Sequence, residues 1–282
     1  MQDASQTSPV EIVQSNVHHH PGARYMDWFL VFIFLLLLWV VSLCKVIYAS
    51  CLPTVSFLSK GEDAQKRKVM LVVAHPDDEA MFFSPTILYL TLKGHTVHIL
   101  CLSTGNADGK GNVRKEELYH ACSSLKVPRQ HIKILDHPDL QDGFDNMWSA
   151  IHISKIIQEE TASQGIDLLI TFDSYGISGH QNHRDLHNGI CTFLCEESQR
   201  GIEAWELLST SIIRKYSGPM DLWLSALLAS SSRGQMHCLL NEHPVKSFMA
   251  MAQHQSQWIW FRKLFVIFSS YTYVNTLRKI NL

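Results

Sequence analysis

The chain has 282 residues, with 24 Lys and Arg against 26 Asp and Glu and a formal net charge of −2. That length suits one domain of roughly two hundred residues plus a further segment. With charge nearly balanced and neither a basic face nor a nucleic-acid motif in view, the composition argues against a nucleic-acid partner.

Residues 1–24 are polar, carry His18, His19 and His20, and read as a disordered tail with solvated histidines. Residues 25–48 read as a transmembrane helix. The uncharged run 28–44 spans roughly 26 Å, and with Lys45 snorkelling and residues 46–48 appended it crosses a bilayer core. Tyr25, Trp28 and Tyr48 fall where interfacial aromatic belts lie. Asp3, Glu11 and Asp27 stand ahead of it in place of a compact positive region, which argues against a cleaved signal peptide. Arg24 is alone before the span, whereas Lys45, Lys60, Lys66, Arg67 and Lys68 follow it, so the remainder is expected in the cytosol. Residues 49–67 form a charged linker, and residues 68–282 the main folded domain.

That domain opens with an unalternating apolar run, 69–74, which predicts a strand buried on both faces of a parallel sheet. It stops at His75, Pro76, Asp77, Asp78 and Glu79, the last three placed to open a helix through Leu92. Carboxylates at a helix start are common. An imidazole beside them at a strand end makes a mixed N/O environment suited to Zn²⁺ or a similar ion. A second strand, 96–102, leads into a glycine-rich loop, 103–111, that matches neither Gly-x-Gly-x-x-Gly nor a phosphate loop, so no nucleotide cofactor is expected. Arg114 opens the next helix, either as a planar phosphate partner or as an ordinary surface arginine. A third strand, 131–135, ends in a loop that repeats His-Pro-Asp at residues 137–139. No partner for a second metal site is visible there, and Asp139 and Asp142 read as contacts to sugar hydroxyls.

Residues 149–163 form an amphipathic helix closed by Gly165, followed by a strand at 166–172. Past that strand, His180 and His183 share a face if a helix begins there. A strand is expected over 203–213. The aromatic stretch 257–268 is too short and charged to span a bilayer; it reads as core packing or, preferably, as an element lying on the membrane. Seven cysteines without a Cys-x-x-Cys pair, mostly in apolar runs, read as reduced core residues.

Ala74-His-Pro-Asp-Asp-Glu79 and Gly179-His-Gln-Asn-His183, with the late His254-Gln-Ser-Gln-Trp258, resemble the LmbE-like or PIG-L family of metal-dependent de-N-acetylases. The resemblance implies an α/β fold, a Rossmann-like and mostly parallel sheet with helices on both faces. It implies that His75, Asp78 and His183 hold a divalent metal, most simply Zn²⁺. Asp77 would be the general base and His180 an acid or oxyanion stabiliser. It favours the phosphate role for Arg114 and makes His254 a candidate to reach the substrate. For a membrane-anchored member the implied substrate is N-acetylglucosaminyl-phosphatidylinositol, cleaved at the endoplasmic reticulum in glycosylphosphatidylinositol-anchor synthesis. The alternatives are a de-N-acetylase of another N-acetyl glycoside and a non-catalytic membrane scaffold. The scaffold predicts loss of one of His75, Asp77, Asp78 and His183, and all four are present.

Overall fold

The structure, a computed structural model, describes residues 21–48, 57–58, 66–143, 146–196 and 201–281. It contains two compact units, residues 1–38 and 39–282. The first holds most of the helix Pro21–Ile47, in which Asp27–Ile47 is long and apolar enough to cross a membrane and is only 11% buried. The expected tail lies outside the described residues up to residue 20. Pro21 begins the helix, as its fixed φ suits a first turn.

The second unit is built on a seven-stranded sheet in the order β3-β2-β1-β4-β5-β7-β6. Strands β1 (Lys68–Val73), β2 (Thr96–Cys101), β3 (Ile132–Ile134), β4 (Leu168–Phe172) and β5 (Glu203–Leu207) run parallel. β6 (Met236–Leu240) and β7 (Val274–Lys279) complete it through antiparallel pairing. The parallel expectation holds for the five predicted strands; the antiparallel edge comes from two segments too weakly patterned to be read as strands. Buried residues at every position of β4 account for its unalternating sequence, since helices cover both faces.

Two boundaries differ from expectation for identifiable reasons. The helix expected to run unbroken to Leu92 is two pieces, Asp78–Met81 and Ser84–Leu92. Pro85 has no N–H for the carbonyl of Met81 and its ring would clash with it, so one helix ends and another starts with proline in its first turn. β5 stops at Leu207 because Ser209 turns away, donating its N–H to Asp173 at 2.7 Å and its hydroxyl to the same carboxylate at 2.6 Å. Within the expected linker, Phe57 is buried and packs edge-on against Trp205 with centroids 5.1 Å apart.

Candidate active site

β1 and β4 are neighbours, so the loops leaving their carboxyl ends share one edge of the sheet, where open α/β folds place their ligands. His75 follows the first strand; His180 and His183 follow the second. Their ring nitrogens lie within 4.8 Å of one another. Asp78 joins them through Oδ1, 3.2 Å from His183 Nε2. Its Oδ2 accepts the backbone N–H of Ala74 at 3.0 Å and of His75 at 2.8 Å, which ties the carboxylate to the strand end.

The ring of His183 tests whether this group suits a cation. Its Nδ1 lies 3.2 Å from the carbonyl of Gly176, and a carbonyl only accepts, so Nδ1 carries the proton. In a neutral ring Nε2 then turns a lone pair toward a carboxylate oxygen, an arrangement that a shared cation satisfies. The backbone carbonyl behind the ring is the usual support of a metal-binding histidine. The ring stacks on Phe172 at 3.9 Å, which fixes its plane. Gly176 is required here: its φ is +67°, and a Cβ would sit 2.8 Å from the Cβ of His183. Asp173 pins the same turn by accepting the N–H groups of Gly176 and Tyr175.

Burial alone would raise the Asp78 carboxyl, but charge on His183 and then on His75 would hold it well below the usual carboxylate range, the same pull that a cation shared with these rings would exert. Burial would lower His75; the Asp142 carboxylate 3.1 Å from its Nε2 and the charges of Asp78 and Asp77 outweigh that and raise it. His180 is pushed down to about 4 by burial and by the two neighbouring imidazoles.

Asp77 is buried at the start of the short helix with φ of +114°, a conformation a non-glycine residue holds only at a cost of roughly 1–3 kcal/mol. Its side chain makes no capping bond. The carboxylate instead meets Arg262 Nη1 and lies 3.7 Å from Arg114 Nη2. Its own N–H donates to Glu79 Oε2 at 3.1 Å. Glu79 Oε1 in turn lies 2.6 Å from His254 Nε2. The late histidine therefore sits fully buried behind Asp77, and Glu79 raises its pKa against the lowering effect of burial.

Arg114 is an organiser of loops in this arrangement. Nη2 donates to the carbonyl of Pro76 at 2.7 Å; Nη1 donates to Gly105 at 2.7 Å and lies 3.3 Å from Asp142. A Cβ on Gly105 would fall 2.4 Å from this guanidinium. Asp142 also reaches His75 Nε2 at 3.1 Å, so it touches the cluster itself. Asp139 is exposed on a concavity of ≈ 910 Å³ lined also by Gln141 and Asn146. The structure brings His152 from the next helix to Asp139 and His137, with donor atoms within 4.8 Å, a neighbour invisible in the sequence.

Sequence reasoning assigned no role to Glu79, Gln257 or Arg262. Glu79 was readable as the last acid of the first motif. Arg262 lies 185 residues from Asp77, and nothing in the chain announces that they meet.

Residues 70–194 match the family model described as PIG-L: GlcNAc-PI de-N-acetylase. An N-acetylglucosaminyl-phosphatidylinositol de-N-acetylase of Bos taurus is 37% identical over 211 residues, 74% of this chain and 82% of the relative. A probable enzyme of the same name from Schizosaccharomyces pombe is 35% identical over 250 residues, covering 86% and 99% of the two chains. Among solved structures, N,N'-diacetylchitobiose deacetylase from Pyrococcus horikoshii shares the fold, with a TM-score of 0.57 at 14% identity over 77% of this chain and 85% of the other. The strand-end histidines and carboxylates thus lie within the matched family region, and the chain belongs to the PIG-L family of GlcNAc-PI de-N-acetylases.

Proposed function

We propose that the protein hydrolyses the N-acetyl group of N-acetylglucosaminyl-phosphatidylinositol, releasing acetate and glucosaminyl-phosphatidylinositol early in glycosylphosphatidylinositol-anchor synthesis. The observation that carries the chemistry is the convergence of His75, Asp78, His180 and His183 beside a strained, buried Asp77 that is not needed as a ligand. The substrate is that of the relatives. His75, Asp78 and His183 would hold a divalent ion, Zn²⁺ being the one best suited to two imidazoles and a carboxylate. Such an ion supplies Lewis acidity, polarising the acetamide carbonyl and acidifying water. Asp77 then takes a proton from the attacking water and can pass it to the departing amine. His180, kept neutral by burial and the neighbouring imidazoles, stabilises the developing oxyanion with a ring N–H. Asp139 and Asp142 would contact sugar hydroxyls.

The Pro21–Ile47 helix anchors the enzyme in the endoplasmic reticulum membrane with residues 49–282 on the cytosolic side, as the cations after the span favour. The Trp260–Phe268 helix rests on the same bilayer. Its exposed apolar side chains support this. Enzyme and lipid substrate would then meet in two dimensions at high effective concentration.

Release of acetate from N-acetylglucosaminyl-phosphatidylinositol by membranes containing this chain tests the reading. Loss on chelation with recovery on zinc add-back is the expected result. No release with any metal, from folded protein in the membrane, would overturn it and turn attention to soluble N-acetyl sugars.

A further inference from the structure

The helix Trp260–Phe268 has two unlike faces. Trp260, Phe261, Leu264, Ile267 and Phe268 are exposed, and at 100° per residue they occupy one arc of about 120°. Arg262 and Val266 lie on the far side; Val266 is buried, and the Arg262 guanidinium enters the site. Its Nη1 meets Asp77 Oδ2 and donates to Gln257 Oε1 at 2.6 Å. Nε and Nη2 have no hydrogen-bond partner among the described residues, and the side chain is 26% exposed. One edge of a permanently charged, planar group is therefore fixed beside the general base while the other edge is open.

Arg114, the arginine the sequence offered for a phosphate, differs on both counts. Its two terminal nitrogens are engaged by Pro76, Gly105 and Asp142, its Nε is sealed from solvent, and the side chain is 11% exposed.

We infer that Arg262 receives the phosphodiester of the lipid-linked substrate on its open Nε–Nη2 edge. The two parallel N–H groups of that edge match two phosphate oxygens. The acetamide on one ring and the phosphate on the next are separated by a single glycosidic link, so a group touching Asp77 with one nitrogen is suitably close to meet the phosphate with others. The helix that carries Arg262 turns its apolar face to the bilayer, which places the arginine at the height where a membrane lipid presents its phosphate. The inference rests on the substrate reading above.

The test uses the full-length enzyme and two soluble headgroups, N-acetylglucosaminyl-glycerophosphoinositol and phosphate-free N-acetylglucosaminyl-inositol. They serve as substrates or, where not turned over, as competitors of the intact lipid. The wild type should prefer the phosphodiester. Arg262→Ala should cut that preference by about tenfold or more, the loss of hydrogen bonds to a charged group, with a smaller fall on the phosphate-free compound. Arg262→Lys should keep part of it. Three results would overturn the inference: no wild-type preference for the phosphodiester, an equal fall on both compounds, which would restrict Arg262 to holding Asp77, or no fall on either. Failure of the wild type to release acetate from the intact lipid would instead count against the substrate reading.

Discussion

The two walls of the site are made differently. The histidine wall hangs on the carboxyl ends of β1 and β4, central strands paired in parallel from Val69↔Leu168 to Leu71↔Ile170. Two of its side chains are tied to nearby backbone: Asp78 to Ala74 and His75, and His183 to Gly176. The facing wall comes from the last thirty or so residues, through His254, Gln257 and Arg262, and reaches Asp77 only by tertiary packing. Local ties preform the first wall, the candidate cation site, whereas the second depends on how the C-terminal segment packs.

Substitutions should separate the walls by size of effect. Asp77→Asn should lower acetate release by about a hundredfold or more, the contribution of a positioned acid/base, while metal content measured on the purified chain stays at the wild-type level. His183→Ala should lose both metal and activity; if metal content were unchanged, the assignment of the first wall would fail. Gly176→Ala should act on that wall without touching a functional group. Positive φ and the close Cβ of His183 together predict a loss of roughly 1–3 kcal/mol in unfolding measurements, and a neutral outcome would mean the turn is looser than its hydrogen bonds suggest.

The second wall should respond to pH through His254. Its folded-state pKa is raised above 6.5, so the stability it contributes is complete below that ordinary value and is lost as pH climbs through the folded pKa. Melting temperatures of the wild type and His254→Gln should therefore converge as pH is raised across that window. A constant gap would place the effect of His254 in packing alone. The smallest expected change is several-fold. Trp260→Ser with Phe261→Ser should slow turnover of the lipid in bilayers and leave the soluble headgroup compounds nearly unaffected, whereas an equal effect on both would assign these aromatic residues to folding.

The first wall was largely readable because its residues are close in sequence and follow strands whose unbroken apolar runs identify them. Residues 69–74 and 166–172 told where the histidines would stand, and the sheet rule told that the two loops would meet. β6 and β7 were missed because Met236–Leu240 mixes His237 and Cys238 with apolar residues, and Val274–Lys279 mixes Asn275, Thr276 and Arg278 with them. They are strands because an antiparallel neighbour completes their hydrogen bonds. Arg114 was readable as an arginine opening a helix, but its attachment to Pro76, Gly105 and Asp142 depends on three loops that the sequence keeps apart.

By itself the sequence determined the apolar helix at the front, the five parallel strands, the histidine and carboxylate set, and its place at a strand end. These follow from local pattern, since burial on two faces and a charged residue at a strand end leave marks within a few residues. Only the tertiary structure decided that Glu79 and His254 lie behind Asp77, that Phe57 packs on Trp205, and that Arg262 meets the Asp77 carboxylate. Those contacts join positions up to 185 residues apart, and what selects them is the closing of one packed core.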